Sequence, residues 1–111
     1  MSPCPIMPTV KVKFWFEDQK ERAFFGEGTA KLFEGIERRK SISVASKHIG
    51  MSYRYALHRI SIAEERSGRK LVDRFRGGRT RGGARLTEQG RYLLARYLHA
   101  KRLLGELATS M

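Results

Sequence analysis

The chain has 111 residues, which suits one small domain, and 41% of them are hydrophobic, which is enough for a compact core. Twenty-three Lys and Arg against eleven Asp and Glu give a formal net charge of +12, so we expect a polyanionic partner. A single cysteine excludes an internal disulfide and a cysteine-built zinc site, and no apolar stretch approaches the ~20 residues of a membrane span.

The N-terminal part predicts an arm followed by a β-hairpin. Residues 1–9 contain three prolines and lack the charged start and long apolar run of a signal peptide, so we expect a flexible arm. Residues 10–16 alternate between apolar and polar side chains, which predicts a half-buried strand, and residues 22–25 are expected to return as a second strand. Trp15 lies on the polar face, where it can stack on a partner chain or pack under a neighbouring element.

Two helices are predicted after the hairpin. Residues 29–40 carry apolar side chains at spacings of three and four and end with three basic residues, which suits a helix C-terminus. Residues 44–49 predict a short second helix, for which Ser41 or Ser43 can be the N-cap. Gly50 then breaks the pattern, as expected for a turn that needs a left-handed backbone.

A third helix is predicted from a Ser52 cap to about residue 66, where Ser-Gly ends it. Together with the second helix it gives residues 41–60 the plan of a helix–turn–helix. Ala45 and Ser46 are small enough for two helices to cross closely at that point. In such a unit the second helix presents its N-terminal turn to the major groove of DNA.

The exposed face of the third helix is the predicted DNA-reading surface. Arg54 is placed to read guanine bidentately, and Ser52 can offer its hydroxyl or backbone N–H to a phosphate. The residues of this helix that we expect to contact DNA are Ser52, Tyr53, Arg54, Leu57, His58 and Arg59.

A cationic loop between two short strands follows the third helix. Residues 71–75 and 84–86 predict the strands, and residues 74–85 hold five arginines, four glycines and no acid. A flexible basic tip of this kind suits a duplex backbone or a narrow groove. The arginines that we expect to contact DNA from this wing are Arg76, Arg79, Arg81 and Arg85.

A long final helix is predicted over residues 88–109, with Thr87 as its cap. It carries a heptad seam with spacings of 4, 3, 4 and 3, formed by Leu93, Tyr97, Ala100, Leu104 and Leu107. The seam can belong to the core of the chain, but the helix is apolar over more than one face. Because one small domain can hardly cover both faces, we predict a homodimer contact through the seam.

Residues 41–90 resemble the DNA-binding domain of the molybdate-responsive ModE-type regulators, within the wider LysR-type helix–turn–helix group. The shared motifs are GMSYRYA at 50–56, G-x-x-L-V-x-R at 68–74 and GG-x-x-x-GGA-x-LT-x-x-G at 77–90. The resemblance implies a winged-helix homodimer that binds operator DNA. It also implies base contacts from the matching Ser-Tyr-Arg at residues 52–54 and backbone contacts from the loop at 77–83.

The sequence departs from that family's pattern at several points. Arg81 stands where the family often has a third glycine, and Leu57 stands where it often has Trp. Because the sequence ends at Met111, we expect it to lack the family's C-terminal oxyanion-binding domain. Molybdate sensing is therefore not implied by the resemblance.

Residues with metal-binding or catalytic chemistry do not form a recognisable site in the sequence. His48, His58 and His99 lie on three different predicted helices without ligand spacing, and Cys4 has no Cys/His arrangement around it. The adjacent acids at residues 64–65 are expected on a solvated helix face. We therefore predict no metal, no cofactor and no enzymatic activity.

The predicted architecture is mainly α with small β content (α+β). It comprises an arm at residues 1–9, a winged helix–turn–helix at 10–90 and a dimerisation helix at 88–109. The predicted function is sequence-specific binding of double-stranded DNA by a homodimeric transcriptional regulator, cytoplasmic and associated with the nucleoid. The alternative is an architectural DNA-binding protein of low specificity. An RNA-binding module is disfavoured, since an aromatic-rich sheet motif and a GXXG loop are both absent.

Overall fold

A computed structural model of the chain describes residue 6, residues 8–77 and residues 80–110, without the side chains of residues 77, 80 and 81. The order of elements confirms the predicted α+β architecture. The elements are β1 (Phe16–Glu17), β2 (Ala23–Phe25), α1 (Glu27–Arg39), α2 (Ile42–His48), α3 (Tyr53–Ser67), β3 (Val72–Gly77), β4 (Thr80–Leu86) and α4 (Glu88–Ser110).

The N-terminal hairpin forms, but it is much shorter than the alternating pattern predicts. β1 pairs with β2 in antiparallel orientation, whereas residues 10–15 form no strand, so the predicted strand at 10–16 is wrong over most of its length. The reason lies in the partner strand. Phe16 pairs with Phe25, and α1 begins at Glu27, so β2 ends before it can offer backbone groups to residues 10–15.

Next to β1, the predicted alternation of buried and exposed side chains is observed. Phe14 stacks on Tyr97 of α4 with ring centroids 4.5 Å apart, while Trp15 points to solvent. Val10 and Val12, which the pattern put on the buried face, are exposed. The N-terminal segment is therefore anchored by its aromatic residues, and the predicted arm at residues 1–9 lies largely outside the described residues.

The helix boundaries follow local sequence signals closely. α2 begins after Ser41, whose Oγ accepts the Val44 N–H at 3.1 Å, so Ser41 and not Ser43 is the N-cap. α3 begins after Ser52 and ends at Gly68, which has a left-handed backbone with φ of 70°. Both ends of α3 are therefore confirmed.

The hydrophobic core lies where α1 meets the hairpin, α3 and the base of the wing. Phe25 and Phe33 meet edge to face at 5.1 Å in its centre. Other fully buried side chains around this pair are Leu32, Ile36, Leu71 and Leu86. The core thus joins all the elements that carry the predicted DNA-binding residues.

The wing strands and α4 complete the fold. β3 and β4 pair in antiparallel orientation with Val72 opposite Leu86, and β4 begins earlier than the predicted return strand. Thr87 caps α4, since its Oγ1 accepts the Gly90 N–H at 3.1 Å. With 23 residues α4 is about 35 Å long, so its C-terminal half extends away from the helix–turn–helix.

Candidate nucleic-acid interface

The helices before the recognition helix are held by close backbone contacts. α1 and α2 meet at Gly35 and Ala45, where a methyl group on Gly35 would lie 2.9 Å from the Ala45 Cβ. The turn into α3 is closed by the Ser46 carbonyl, which accepts the Met51 N–H at 2.8 Å, and Gly50 adopts φ of 72°. These contacts set the angle of α3 and leave its first turn at the surface.

The start of α3 presents a polar, exposed surface. Tyr53, Arg54 and His58 are exposed there, in the positions that the sequence predicts. Ser52 is exposed as well, but its Oγ is engaged as the N-cap and accepts the Tyr55 N–H at 3.1 Å. Its hydroxyl proton remains available to an acceptor such as a phosphate oxygen.

Two of the predicted contact residues on α3 point elsewhere. Arg59 turns towards α1, where its Nε and Nη2 each donate to Thr29 Oγ1 at 3.3 Å. Leu57 is half-buried and packs against the hydrophobic core. Both side chains are half-exposed, lie on opposite edges of the buried face of α3 and are engaged within the chain, and their contact with DNA stays a prediction.

The base of the wing is attached to the helix–turn–helix. The Ala84 N–H donates to the carbonyl oxygen of Lys40 at 2.9 Å, and Lys40 ends α1 in a left-handed conformation. The Phe75 ring lies over Gly83, where an added methyl group would approach the ring to 2.7 Å. The Arg85 guanidinium is 5.9 Å from the centroid of the same ring, a cation–π contact. The wing base therefore has a defined position relative to α3.

The wing arginines are placed unevenly around this base. Arg76 is exposed on β3, Arg79 lies outside the described residues, and Arg81 lies on β4 with its side chain undescribed. The structure adds Arg74, whose Nη2 donates to the Tyr53 hydroxyl oxygen at 2.9 Å. Arg74 belongs to the Arg/Gly segment at residues 74–85, so the sequence alone could have identified it as a candidate contact. The pairing was not predictable, since the two residues are separated by 21 positions.

The charge of this surface has one sign. Residues 40–63 and residues 74–87 contain no Asp or Glu, so α2, the start of α3 and the wing beyond Asp73 carry cations only. The nearby Glu64 is engaged within the fold, where its Oε2 accepts the N–H groups of Leu71 and Val72 at 2.8 and 3.2 Å. A predominantly positive surface of this kind attracts a polyanion.

Groups with shifted pKa values lie outside this surface. Burial raises the pKa of Tyr97 in the core. The Arg22 backbone N–H, helped by its guanidinium, lowers the pKa of Asp18 in the hairpin turn. Within the described residues no group of three or more His, Cys, Asp and Glu side chains could hold a metal ion. Among the helices described, none combines the length and apolar character needed to cross a membrane.

The residues of the predicted seam lie along one face of α4, but the chain covers them to different extents. Tyr97 is only 3% exposed and stacks on Phe14 of its own chain, so the prediction is corrected there: Tyr97 belongs to the core. Leu104 is half-buried and faces a groove shared with residues 8–14. Three seam residues remain, Leu93, Ala100 and Leu107. Together with the neighbouring Leu103 they form what we term the outer stripe.

The spacing of the outer stripe places its residues on one face of α4. Its members follow one another at intervals of seven, three and four residues, which line up along a helix. Leu93 and Ala100 are half-buried, whereas Leu103 and Leu107 are 48% and 60% exposed. The C-terminal half of this stripe therefore has apolar surface that its own chain does not cover.

The three-helix core, the turn at Gly50, the exposed start of α3 and the two-stranded extension define a winged helix–turn–helix protein. Residues 29–91 match the model of the family described as bacterial regulatory helix–turn–helix protein, lysR family. The chain belongs to this family.

Two curated relatives match stretches of the chain of similar length. Over 67 residues the chain is 40% identical to the molybdenum transport protein ModE of Azotobacter vinelandii, covering 60% of the chain and 25% of the relative. Over 70 residues it is 36% identical to the molybdenum-pterin-binding protein MopA of Rhodobacter capsulatus, covering 63% of the chain and 26% of the relative. The chain thus spans about a quarter of the length of each relative.

A solved structure has the same fold. The crystal structure of a CbnR_DBD–DNA complex superimposes with a TM-score of 0.60 at 19% sequence identity, covering 75% of this chain and 90% of that one. The match includes most of the elements described above, so the winged helix–turn–helix architecture is confirmed.

Proposed function

We propose that this protein regulates transcription in the cytoplasm by binding specific sequences of double-stranded DNA as a homodimer. Its family membership supports a regulatory DNA-binding role. The observation that carries the proposal is the exposed start of α3, where Tyr53, Arg54 and His58 emerge from a surface without acidic residues. A helix presented in this way enters the major groove, where base edges can be distinguished.

Arg54 is the residue that we expect to read a base. It lies on the first turn of α3, it is exposed, and a guanidinium can donate two hydrogen bonds to O6 and N7 of guanine. His58 lies one turn further along the same face and contacts the groove next to it. The wing arginines then supply contacts to the DNA backbone, which add affinity with little specificity.

The outer stripe of α4 supports the homodimer. Leu103 and Leu107 expose apolar surface along a helix that extends from the domain, and a second copy of the helix would cover it. A two-fold dimer presents two recognition helices to two half-sites, about 34 Å apart on one side of the duplex. Linking the two contacts raises the overall affinity above that of one domain.

The experiment that tests this function is selection of binding sites from a random duplex library, followed by titration of the selected duplex and a scrambled one. A regulator is expected to prefer its selected site by ~10³ or more at physiological salt. The architectural alternative predicts no enriched motif and nearly equal affinities. Competition by double-stranded RNA in the same titration distinguishes an RNA-binding module, which would bind the RNA at least as well as the DNA.

A further inference from the structure

An open groove of about 440 Å³ separates the recognition helix from the wing. We call it the wing groove. Its walls come from three elements: the start of α2 with Ser41 and Ser43, the start of α3 with Tyr53, and the base of the wing with Arg74, Phe75 and Arg76. The described residues that line it include no carboxylate.

The polar side chains of the wing groove are hydrogen-bond donors. Arg74 donates to the Tyr53 hydroxyl oxygen at 2.9 Å, so that oxygen is already an acceptor and its own proton is left to donate elsewhere. Ser41 Oγ accepts the Val44 N–H, so its proton is likewise left for an acceptor. An anion that only accepts hydrogen bonds, such as a phosphate, satisfies all of these groups together.

An apolar surface lies beside these donors. Phe75 is 46% exposed, with Gly83 beneath its ring and the Arg85 guanidinium 5.9 Å from its centroid. The ring is thus held in place and offers an apolar edge next to Arg74 and Arg76. A deoxyribose is the part of a DNA strand that can pack on such a surface while its phosphate reaches the donors.

We propose that the wing groove binds the sugar–phosphate backbone of the DNA strand between the recognition helix and the wing, with Tyr53 and Arg74 as a paired phosphate contact. This inference rests on the proposed function and changes one part of it. Tyr53, which the sequence suggests as a base-reading residue, becomes a backbone contact through its partner Arg74. Base reading on α3 then falls to Arg54 and His58.

Chemically matched variants test the pair. Tyr53→Phe removes one hydroxyl, and Arg74→Gln removes one charge. The controls are Tyr92→Phe and Arg96→Gln on α4, because Arg96 Nη1 donates to the Tyr92 hydroxyl oxygen at 3.3 Å in a similar pair. Tyr92 lies beside Ser67 at the far end of α3, about 20 Å from Tyr53 along that 15-residue helix.

The measurement is the affinity for a random-sequence duplex and for the selected duplex over a range of salt concentrations. Arg74→Gln should lower the slope of log K against log salt by about 0.9 for each phosphate that the variant no longer neutralises. Tyr53→Phe should weaken binding to both duplexes by the same factor, about three- to tenfold. In the double variant the two losses should be less than additive, since the two side chains act as a unit.

Three outcomes are distinct. Wild type that binds neither duplex overturns the proposed function and this inference together. If wild type binds DNA but both wing-groove variants keep its affinity and salt slope, only this inference is overturned. A Tyr53→Phe loss on the selected duplex alone returns Tyr53 to base reading and also contradicts the inference.

Discussion

The Ala84 N–H of β4 donates to the Lys40 carbonyl oxygen at the end of α1, at 2.9 Å. This bond crosses from the wing to the C-cap of α1, where Lys40 has a left-handed backbone with φ of 58°. Together with the hydrogen bond from Arg74 to Tyr53 at 2.9 Å, it links the wing to the end of α1 and to the start of the recognition helix. A DNA-binding surface made of both elements is therefore preorganised at the base of the wing, and little ordering is required there on binding.

The first prediction concerns that junction. Gly83→Ala places a methyl group 2.7 Å from the Phe75 ring and 3.0 Å from the Lys40 carbonyl oxygen, so the ring or the strand must move. We expect a loss of about 1–3 kcal/mol in the free energy of unfolding and weaker DNA binding. Gly28→Ala, where the added methyl group meets nothing within 4 Å, is the control. Denaturant unfolding and duplex titration measure both, and equal stability of the two variants would contradict the packing described.

The second prediction concerns the tip of the wing and rests on its sequence. Arg79 and Arg81 stand in a segment without acidic residues, so replacing both with Gln should weaken binding to any duplex. The salt slope should fall by about 0.9 for each phosphate that is left without its arginine. Titrations of a random-sequence duplex between low and moderate salt measure this slope. An unchanged slope would mean that the tip does not touch the DNA backbone.

The third prediction concerns assembly. Leu103→Glu and Leu107→Glu put charges on the outer stripe at side chains that are already exposed in the chain, so the fold should be retained. Sedimentation equilibrium should show a dimer for the wild type and monomers for the double variant. Circular dichroism should give equal helix content. Leu98→Glu, at an exposed leucine outside the outer stripe, is the control. Wild type that is already monomeric at micromolar concentration would contradict the dimer.

The parts of the fold set by neighbouring residues were predictable from the sequence. Ser52 as an N-cap, Gly50 in the turn and Gly68 at the end of α3 each depend on local backbone chemistry. The exposed position of Arg54 follows from the helix period once the cap is known. The existence and order of the helices also depend on such local signals, and the structure confirms them.

The parts set by distant residues were not predictable. The strand pattern at residues 10–15 lacks a partner because β2 is short, and Arg59 is drawn to Thr29, 30 positions away. Tyr97 completes a heptad pattern in sequence yet packs on Phe14. Periodicity identifies an apolar face, but whether the chain itself covers that face depends on tertiary packing.

The central claim is that this protein reads a DNA sequence through Arg54. The measurement is the affinity of wild type and Arg54→Ala for the selected duplex and for a random duplex, with Arg102→Ala on α4 as an exposed control of equal charge. Arg54→Ala should lose about 1–3 kcal/mol on the selected duplex and much less on the random one, while Arg102→Ala should leave the ratio of the two affinities unchanged. Equal losses on both duplexes would make Arg54 a phosphate contact and contradict sequence reading by this helix.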